Sequence, residues 1–378
     1  MNLELNDDQK MLLEMVKKFS RNQILPQAKK RDEKGEYPLE IMRQLGKLGI
    51  LGLRVPTQYG GSGGSLFDAV FVLEEIAKID ASTATNLHVQ LNATPIYIMK
   101  YGSEEIKEKF LTRLCEGRTL FSMAQTEPDV GSDLRDLRTT AKLEGSFYTI
   151  NGTKSMISQA PVADVHLVYL RFSDDNSIGC LLVENGTEGL EVGKKEEFLG
   201  LRGMGSAELV FKDCRVQKDN VLVKGPGSLR KMLTLFNGTR VGLGSTSLGV
   251  AEAAFEEALA YSKVRIISGK PLIEYQGIQW KLTDMAIKIE SMKHLVYSAA
   301  LDTQVEGFPS PFNSSVARVS AAKGALEVTN MAMEILGGYG YSKEYSLERY
   351  LRDARGLTFT GGTLEVLYNT IAHYLREK

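Results

Sequence analysis

The chain has 378 residues and a nearly balanced charge, with 46 Lys and Arg against 47 Asp and Glu, for a net charge of -1. This balance excludes a general electrostatic attraction to nucleic acid or to anionic membranes and leaves open only local basic pockets. A hydrophobic content of 43% with 25% charged residues is ordinary for a globular protein, and the length suits about two or three domains.

Cysteine and histidine usage argues against a disulfide framework and a metal motif. The three cysteines, Cys115, Cys180 and Cys214, are widely spaced and form no CxxC pair, which suits buried thiols in a reducing compartment. The four histidines are scattered, so we expect no bound metal. Residues 1–10 lack an apolar stretch behind a basic start, and no window approaches the roughly eighteen apolar residues of a membrane span. We therefore expect a cytoplasmic protein without a membrane segment.

The first third of the chain has a helical pattern, from Asn6 to about Gly117. The run DDQKMLLEMVKKFSRNQI repeats its apolar residues with helical spacing, and Asn6 or Asp7 is placed to cap its start. The glycine-rich stretch YGGSGGS at 59–65 predicts a loop before the next strongly periodic run, FDAVFVLEEIAKI.

The middle of the chain, from about 119 to 228, consists of short β-rich runs such as DVHLVYLRF and AELVFKDCRV, separated by Gly, Asn and Asp. Long helical patterns return after Gly227 and are joined by short connections, which is typical of an antiparallel four-helix bundle. The sequence therefore predicts an α+β multidomain fold: an N-terminal helical domain at 1–118, a β-barrel at 119–228 and a C-terminal four-helix bundle at 229–378.

Five segments, in this order, resemble the acyl-CoA dehydrogenase family over nearly the whole chain. FSMAQTEPDVGSD at 121–133 is similar to the family's flavin-binding strand and loop, and GLRGMGSAELVFKDCRV at 200–216 to the end of its barrel. The segment at 269–286, GKPLIEYQGIQWKLTDMA, resembles part of the family's bundle. The segment at 336–355, LGGYGYSKEYSLERYLRDAR, resembles a glycine turn near the FAD adenosine. The segment at 361–365, GGTLE, resembles the loop over the flavin.

The resemblance implies FAD as cofactor and an acyl-CoA as substrate. It assigns the cofactor to Met123, Gln125, Thr126, Gly131, Ser132, Met156, Ser158, Arg265, Gln276, Glu334, Gly337, Gly338, Thr363 and Glu365. It assigns the acyl thioester to Ser132, Phe236, Asn237, Arg240 and Asn86. It also implies a homotetramer, built as a dimer of dimers in which Arg265 reaches the FAD pyrophosphate of a neighbouring subunit, and an electron-transferring flavoprotein as a possible partner.

The sequence departs from this family at both positions that normally carry the catalytic glutamate. That carboxylate removes the α-proton of the acyl-CoA while the β-hydrogen leaves as hydride. Gly361 occupies the common position, and Thr239 occupies the alternative one before Arg240. Loss of a general base typically lowers the reaction rate by about 10²- to 10⁴-fold. The backbone N–H of Gly361 remains available to polarise the thioester carbonyl.

Other departures concern the flavin. Met156 replaces the family's tryptophan against the ring, the Gln and Phe usual after Arg265 are Ile267 and Ser268, and Glu334 replaces a glutamine before the glycine turn. These exchanges predict looser binding of FAD or a shifted adenine.

Three hypotheses follow. The first is an acyl-CoA oxidoreductase whose acid or base comes from elsewhere, with His88 and Tyr97 as candidates. The second is elimination or desulfination, because the C-terminal half also resembles 3-sulfinopropionyl-CoA desulfinases, which lack the glutamate; Asn86 stands where those enzymes carry an arginine for the sulfinate. The third is a non-catalytic homologue that binds acyl thioesters or carrier proteins.

Overall fold

A computed structural model of the protein describes residues 4–377 and begins with a group of helices. Asn6 caps the first helix through a reciprocal pair of hydrogen bonds with Gln9, in agreement with the cap predicted at this position. The predicted glycine-rich loop ends at Ser65, which caps α4. The helices are α1 Asp7–Phe19, which continues through a π-helical turn at Ser20–Ile24 into α2 Leu25–Lys34, then α3 Leu39–Lys47, α4 Leu66–Ala77, α5 Ala81–Asn92, α6 Thr94–Tyr101 and α7 Glu104–Cys115.

The middle of the chain forms one eight-stranded sheet with the order β6-β7-β3-β2-β4-β5-β8, and β1 pairs in parallel with β4. The strands are β1 Phe121–Ala124, β2 Thr140–Glu144, β3 Phe147–Ile157, β4 Val165–Phe172, β5 Ile178–Glu184, β6 Leu190–Lys195, β7 Ala207–Gln217 and β8 Val221–Val223. One face encloses its own apolar cluster, which includes Ile150, Leu170 and Phe211.

The C-terminal part is again helical. Its elements are α8 Ser228–Val264, the short strands β9 Ile266–Ile267 and β10 Lys270–Pro271, α9 Gln276–Ala300, α10 Pro311–Leu336, α11 Gly338–Tyr341, α12 Leu347–Leu357 and α13 Leu364–Arg376. The predicted order of a helical, a β-rich and a second helical part is therefore confirmed. Within residues 4–377, no helix combines the length and the apolar composition needed to cross a bilayer.

Helix α8 joins the two helical parts because it packs closely against α4 and α5 as well as α10. A Cβ atom at Gly249 would overlap the backbone oxygen of Glu74 on α4. A Cβ atom at Gly242 would overlap the imidazole of His88 on α5. Glycine at these two positions thus lets α8 approach α4 and α5 closely. As a result, α5 and α8 lie side by side.

A buried ion pair shapes the loop between β1 and β2. The carboxylate of Glu127 accepts the backbone N–H groups of Arg138 and Thr139 at 2.7 and 2.9 Å. Lys154 on β3 donates to Glu127 at 2.8 Å and to the carbonyl of Gln125 at 2.9 Å. Burial lowers the pKa of Lys154 to about 8, so the ammonium group is still charged at pH 7.

We expect Lys154→Met to destabilise the protein by about 3–5 kcal/mol, because it leaves the Glu127 carboxylate buried without its cation. Urea unfolding followed by circular dichroism measures the change in the free energy of unfolding. Lys142→Met is the matched control: Lys142 also pairs with a glutamate, Glu144, at 3.0 Å, but the two side chains are 70% and 47% exposed. The control variant should unfold nearly as the wild type does, and an equal loss in both variants would contradict the role assigned to the buried pair.

Candidate active site

A cavity of about 940 Å³ opens where the sheet meets α5, α8 and the segment that follows α12. Its β-side wall contains Met123, Gln125, Thr126, Gly131, Ser132, Met156 and Ser158. Its helical wall contains His88 from α5 and Phe236, Thr239, Arg240 and Leu243 from α8. Thr360, Gly361, Gly362 and Thr363 line a third side. Three separate stretches of the chain therefore contribute to one concave site, as ligand pockets commonly require.

The strand β1 and the loop after it present hydrogen-bonding groups to the cavity. The backbone carbonyl of Thr126 accepts the N–H of Ser155 at 3.0 Å, which ties the loop to β3. The side-chain nitrogen of Gln125 is buried near the hydroxyl of Tyr169 but makes no hydrogen bond of good geometry among the described residues. Because a buried amide donor without a partner is costly, this nitrogen fits an acceptor atom on a bound molecule.

Gly361 has left-handed backbone geometry, with φ at 75°. A Cβ atom built on it would overlap Cδ1 of Leu243 on α8. The space next to the backbone is thus filled by a leucine side chain, and the backbone conformation disfavours any residue other than glycine.

The loop 358–363 is held from behind by Arg318 on α10, which is fully buried. Its guanidinium group donates to the carbonyl oxygens of Leu357 and Thr360, the latter at 3.0 Å, and to the hydroxyl of Ser247 at 3.3 Å. These carbonyls lie at the end of α12 and in the turn after it, where no further helical N–H groups are available to donate to them. Arg318 therefore fixes the path of the backbone that leads into Gly361.

Thr239 lines the cavity, and its hydroxyl donates to the backbone carbonyl of Asn92 at 2.8 Å. Asp133 is the single carboxylate among the described lining residues. It is paired with Arg135 at 2.5 Å, and hydrogen bonds from Arg135 lower the pKa of this carboxylate to about 2. A carboxylate that is ionised, ion-paired and 42% exposed is a weak base. The cavity thus contains no free carboxylate near Gly361 or Thr239.

The cavity brings together thirteen of the residues named from the sequence: His88, Met123, Gln125, Thr126, Gly131, Ser132, Met156, Ser158, Phe236, Thr239, Arg240, Gly361 and Thr363. Two proposed substrate residues lie outside its lining. Asn86 is buried and donates to the carbonyl of Gly203 at 2.9 Å. Asn237 accepts a hydrogen bond from Arg240 at 3.0 Å, so it supports a lining residue from behind.

Six further cofactor candidates also lie outside the cavity lining and are exposed: Arg265, Gln276, Glu334, Gly337, Gly338 and Glu365. Glu334 forms an ion pair with Lys281 at 2.6 Å and accepts a hydrogen bond from Asn330 at 3.0 Å. The structure thus does not bring these six residues together with the cavity residues in one pocket of the described chain.

Of the two candidate replacement bases, one lines the cavity and the other does not. His88 lines it. Tyr97 lies outside its lining, fully buried, and its hydroxyl is shared between the hydroxyl of Tyr169 at 2.5 Å and the carbonyl of Met232 at 2.8 Å. Burial is the largest of the effects that raise the pKa of Tyr97 well above its usual range. Tyr97 is therefore a structural residue.

Sequence reasoning missed Leu243 and Arg318. Nothing in their local pattern distinguishes them from other residues of long helices. Their contacts join distant parts of the chain: Leu243 lies against Gly361, and Arg318 donates to carbonyls 39 and 42 residues further on. An arginine within the small and apolar run SSVARVSAA is the one signal that could have indicated Arg318, since a buried guanidinium needs partners.

Comparison with known proteins agrees with the observed order of a helical, a β-rich and a second helical part. The chain matches the N-terminal domain of acyl-CoA dehydrogenases over residues 6–118, the middle domain over 122–214 and the C-terminal domain over 229–375. A short-chain specific acyl-CoA dehydrogenase of Clostridium acetobutylicum is 36% identical over 370 residues, which cover 97% of each chain. A 3-sulfinopropanoyl-CoA desulfinase of Paraburkholderia xenovorans is 34% identical over 378 residues, 98% of this chain and 96% of the relative.

A solved structure, the butyryl-CoA dehydrogenase of Megasphaera elsdenii, superposes with a TM-score of 0.96 at 36% identity and full coverage of both chains. Matches to all three domains in the correct order, together with relatives of the same length, show common descent along the whole chain. The chain belongs to the acyl-CoA dehydrogenase family, whose members are FAD-dependent oxidoreductases acting on CH–CH groups.

Proposed function

We propose that this protein binds FAD and an acyl-CoA thioester in the cavity and acts on the acyl chain without a carboxylate base at residue 361 or 239. The observation that carries the proposal is the lining itself. It combines the flavin-loop residues with both base positions, while its one described carboxylate, Asp133, is held by Arg135. Family membership supports FAD and the thioester, and the lining supports the altered chemistry.

The residues present fit the cofactor. The buried amide nitrogen of Gln125 supplies a donor beside Thr126, Met156 lies near the end of β3, and Ser158 follows that strand. When bound, FAD supplies two-electron redox chemistry that no side chain can perform. The protein contributes binding, orientation and the exclusion of water.

The backbone N–H of Gly361 supports activation of the thioester. It lines the cavity and makes no hydrogen bond within the described residues. A fixed donor of this kind, aimed at a carbonyl oxygen, stabilises negative charge that develops there. The proposed site thus keeps a donor for the substrate carbonyl, although it lacks the usual proton acceptor.

Elimination or desulfination is the second candidate. Loss of SO₂ from a β-sulfinate leaves the electron pair of the broken C–S bond on the β-carbon, which then takes up a proton. Desulfination therefore needs no α-proton base, unlike β-elimination, and it is compatible with the absence of a free carboxylate in the described lining. The similarity to a 3-sulfinopropanoyl-CoA desulfinase over 98% of the chain favours this class. Against it stands Asn86, which replaces the sulfinate-binding arginine and lies outside the cavity lining.

The visible spectrum of the purified protein distinguishes these reactions. The flavin is titrated anaerobically with saturated, cyclic and β-substituted acyl-CoAs, and the thioester products are analysed in parallel. We expect saturated thioesters to shift the flavin bands with little bleaching, because proton removal is impaired. Rapid bleaching would instead establish dehydrogenation with a relocated base. Substrate consumption with oxidised flavin would support elimination, and a protein without flavin would overturn both proposals.

We expect Gly361→Glu to fail as a simple restoration of the base. A side chain at this φ costs about 1–2 kcal/mol, and its Cβ also overlaps Leu243. Thermal unfolding should show a lower melting temperature for Gly361→Glu and for the matched control Gly361→Ala, which shares the Cβ but lacks the carboxylate. Wild-type stability together with rapid bleaching by butyryl-CoA in the glutamate variant would show that the loop accommodates the side chain freely.

The proposed assembly is a homotetramer that shares FAD between subunits, with an electron-transferring flavoprotein as its redox partner and a cytoplasmic location. The exposed candidates on the bundle, such as Arg265 and Gln276, support a shared cofactor, because they lie away from the cavity lining of their own chain. Exposed apolar residues near them, Val264 at 74%, Trp280 at 65% and Tyr341 at 82%, support burial against another copy. The three buried free cysteines are compatible with a reducing compartment.

We expect Trp280→Glu to reduce the size of the assembly and its FAD content, because the charge would be buried at the subunit contact. Light scattering coupled to gel filtration gives the mass, and the absorbance ratio gives the flavin content. Met11→Glu is the matched control, since Met11 is equally exposed at 65% but lies on α1. Unchanged mass and flavin in the Trp280 variant would contradict the proposed interface.

A further inference from the structure

His88 has one ring nitrogen engaged and the other free. The residue is 2% exposed and lines the helical wall of the cavity. Its Nδ1 lies 3.3 Å from the side-chain nitrogen of Asn92, one helical turn further along α5. Its Nε2 is buried and has no hydrogen-bond partner within residues 4–377.

The proton on this imidazole can be assigned because Arg54 fixes the orientation of the Asn92 amide. Arg54 donates to the side-chain oxygen of Asn92 at 2.7 Å, so the amide nitrogen must face His88. An NH₂ group can only donate, and Nδ1 must therefore accept. The neutral ring then carries its proton on Nε2, which makes Nε2 a hydrogen-bond donor.

Burial, together with nearby positive charge, keeps His88 neutral. Burial, Arg318 and Arg54 together lower the pKa of His88 to about 3. These two arginines are the charged groups that face the ring, one from α10 and one from the segment between α3 and α4. On the α8 side the ring meets Gly242, which has no side chain. The imidazole is therefore neutral from about pH 4 upward, and it acts as a donor rather than as the missing base.

The positive charge at this wall is only partly balanced within the described chain: the Asp68 carboxylate acts on Arg54, whereas Arg240 and Arg318 have no such partner. Arg240 lines the cavity, donates to Asn237 at 3.0 Å and packs over the ring of Phe236, while its Nε has no partner within the described chain. Neither Arg240 nor the two arginines behind the wall, Arg54 and Arg318, makes a described hydrogen bond to a carboxylate. Buried cations of this kind favour an anion on the facing side.

We propose that the helical wall recognises an anionic oxygen group on the acyl chain, a carboxylate or a sulfinate, with Nε2–H of His88 as the donor that determines this specificity. This inference rests on the proposed binding of an acyl-CoA thioester. It identifies the substrate class as dicarboxylic or sulfinic monothioesters of CoA, in contrast to plain aliphatic thioesters. Arg240 contributes charge to the same wall. Arg54 and Asn92 are positioning residues that hold the imidazole in its donor form.

The test compares succinyl-CoA with butyryl-CoA, which have four-carbon acyl chains that end in a carboxylate and a methyl group. Dissociation constants are measured by stopped-flow perturbation of the flavin absorbance in the FAD-loaded full-length protein, before succinyl-CoA hydrolyses. We expect succinyl-CoA to bind at least about tenfold more tightly in the wild type. His88→Leu should reduce this preference by about tenfold or more, because a hydrogen bond to a charged group is lost. His88→Gln, which keeps a donor, should retain most of it.

The pH dependence separates a neutral donor from a cation. Between pH 6 and 8 the succinyl-to-butyryl preference should stay constant, because both His88 and the carboxylate keep their charge states. A preference that falls steadily over this range would indicate an imidazolium with an ordinary pKa and would overturn the assignment. Equal affinity for the two thioesters in the wild type, or an unchanged preference in His88→Leu, would also overturn the inference. Failure of every acyl-CoA to perturb the flavin would instead contradict the proposed function.

Discussion

The close approach of α8 to its neighbours is the constraint on which the rest of the structure depends. Glycine at 249 and 242 removes the side chains that would keep α4 and α5 away, and the two helical parts of the chain can then share one core. The same approach places Thr239, Arg240 and Leu243 beside α5 in one cavity wall. Any side chain at these two glycines would displace backbone or a buried imidazole, so packing and site geometry are coupled.

Buried polar groups organise the other two sides of the cavity. The Glu127–Lys154 pair satisfies the backbone of the loop after β1, and Arg318 satisfies the carbonyls that lead to Gly361. Each group takes its partners from a different part of the chain. The loop after β1 and the segment 358–363 are therefore held rigidly by hydrogen bonds that the protein interior strengthens.

Gly361 and Thr239, which stand at the two positions where the family carries its base, both have structural roles in this chain. At Gly361 the backbone is left-handed and Leu243 fills the adjacent space, while at Thr239 the hydroxyl is used in a structural hydrogen bond to Asn92. Burial, with Arg318 and Arg54 behind the wall, keeps His88 neutral. A site of this kind suits negative charge on the ligand better than it suits proton abstraction, which connects the missing carboxylate with the proposed anionic substrate.

Local patterns in the sequence were sufficient for the order of helical, β-rich and helical parts and for the cap at Asn6, because periodicity and capping act over a few residues. The residues proposed for the flavin loop came from the family resemblance. The absence of a glutamate at 361 and 239 was equally readable from the family resemblance. Only the tertiary structure decided that Tyr97 is structural, that Asn86 lies outside the cavity lining and that His88 is a donor. Those roles depend on Tyr169, Gly203 and Arg54, which are distant in sequence and meet only when the chain has folded.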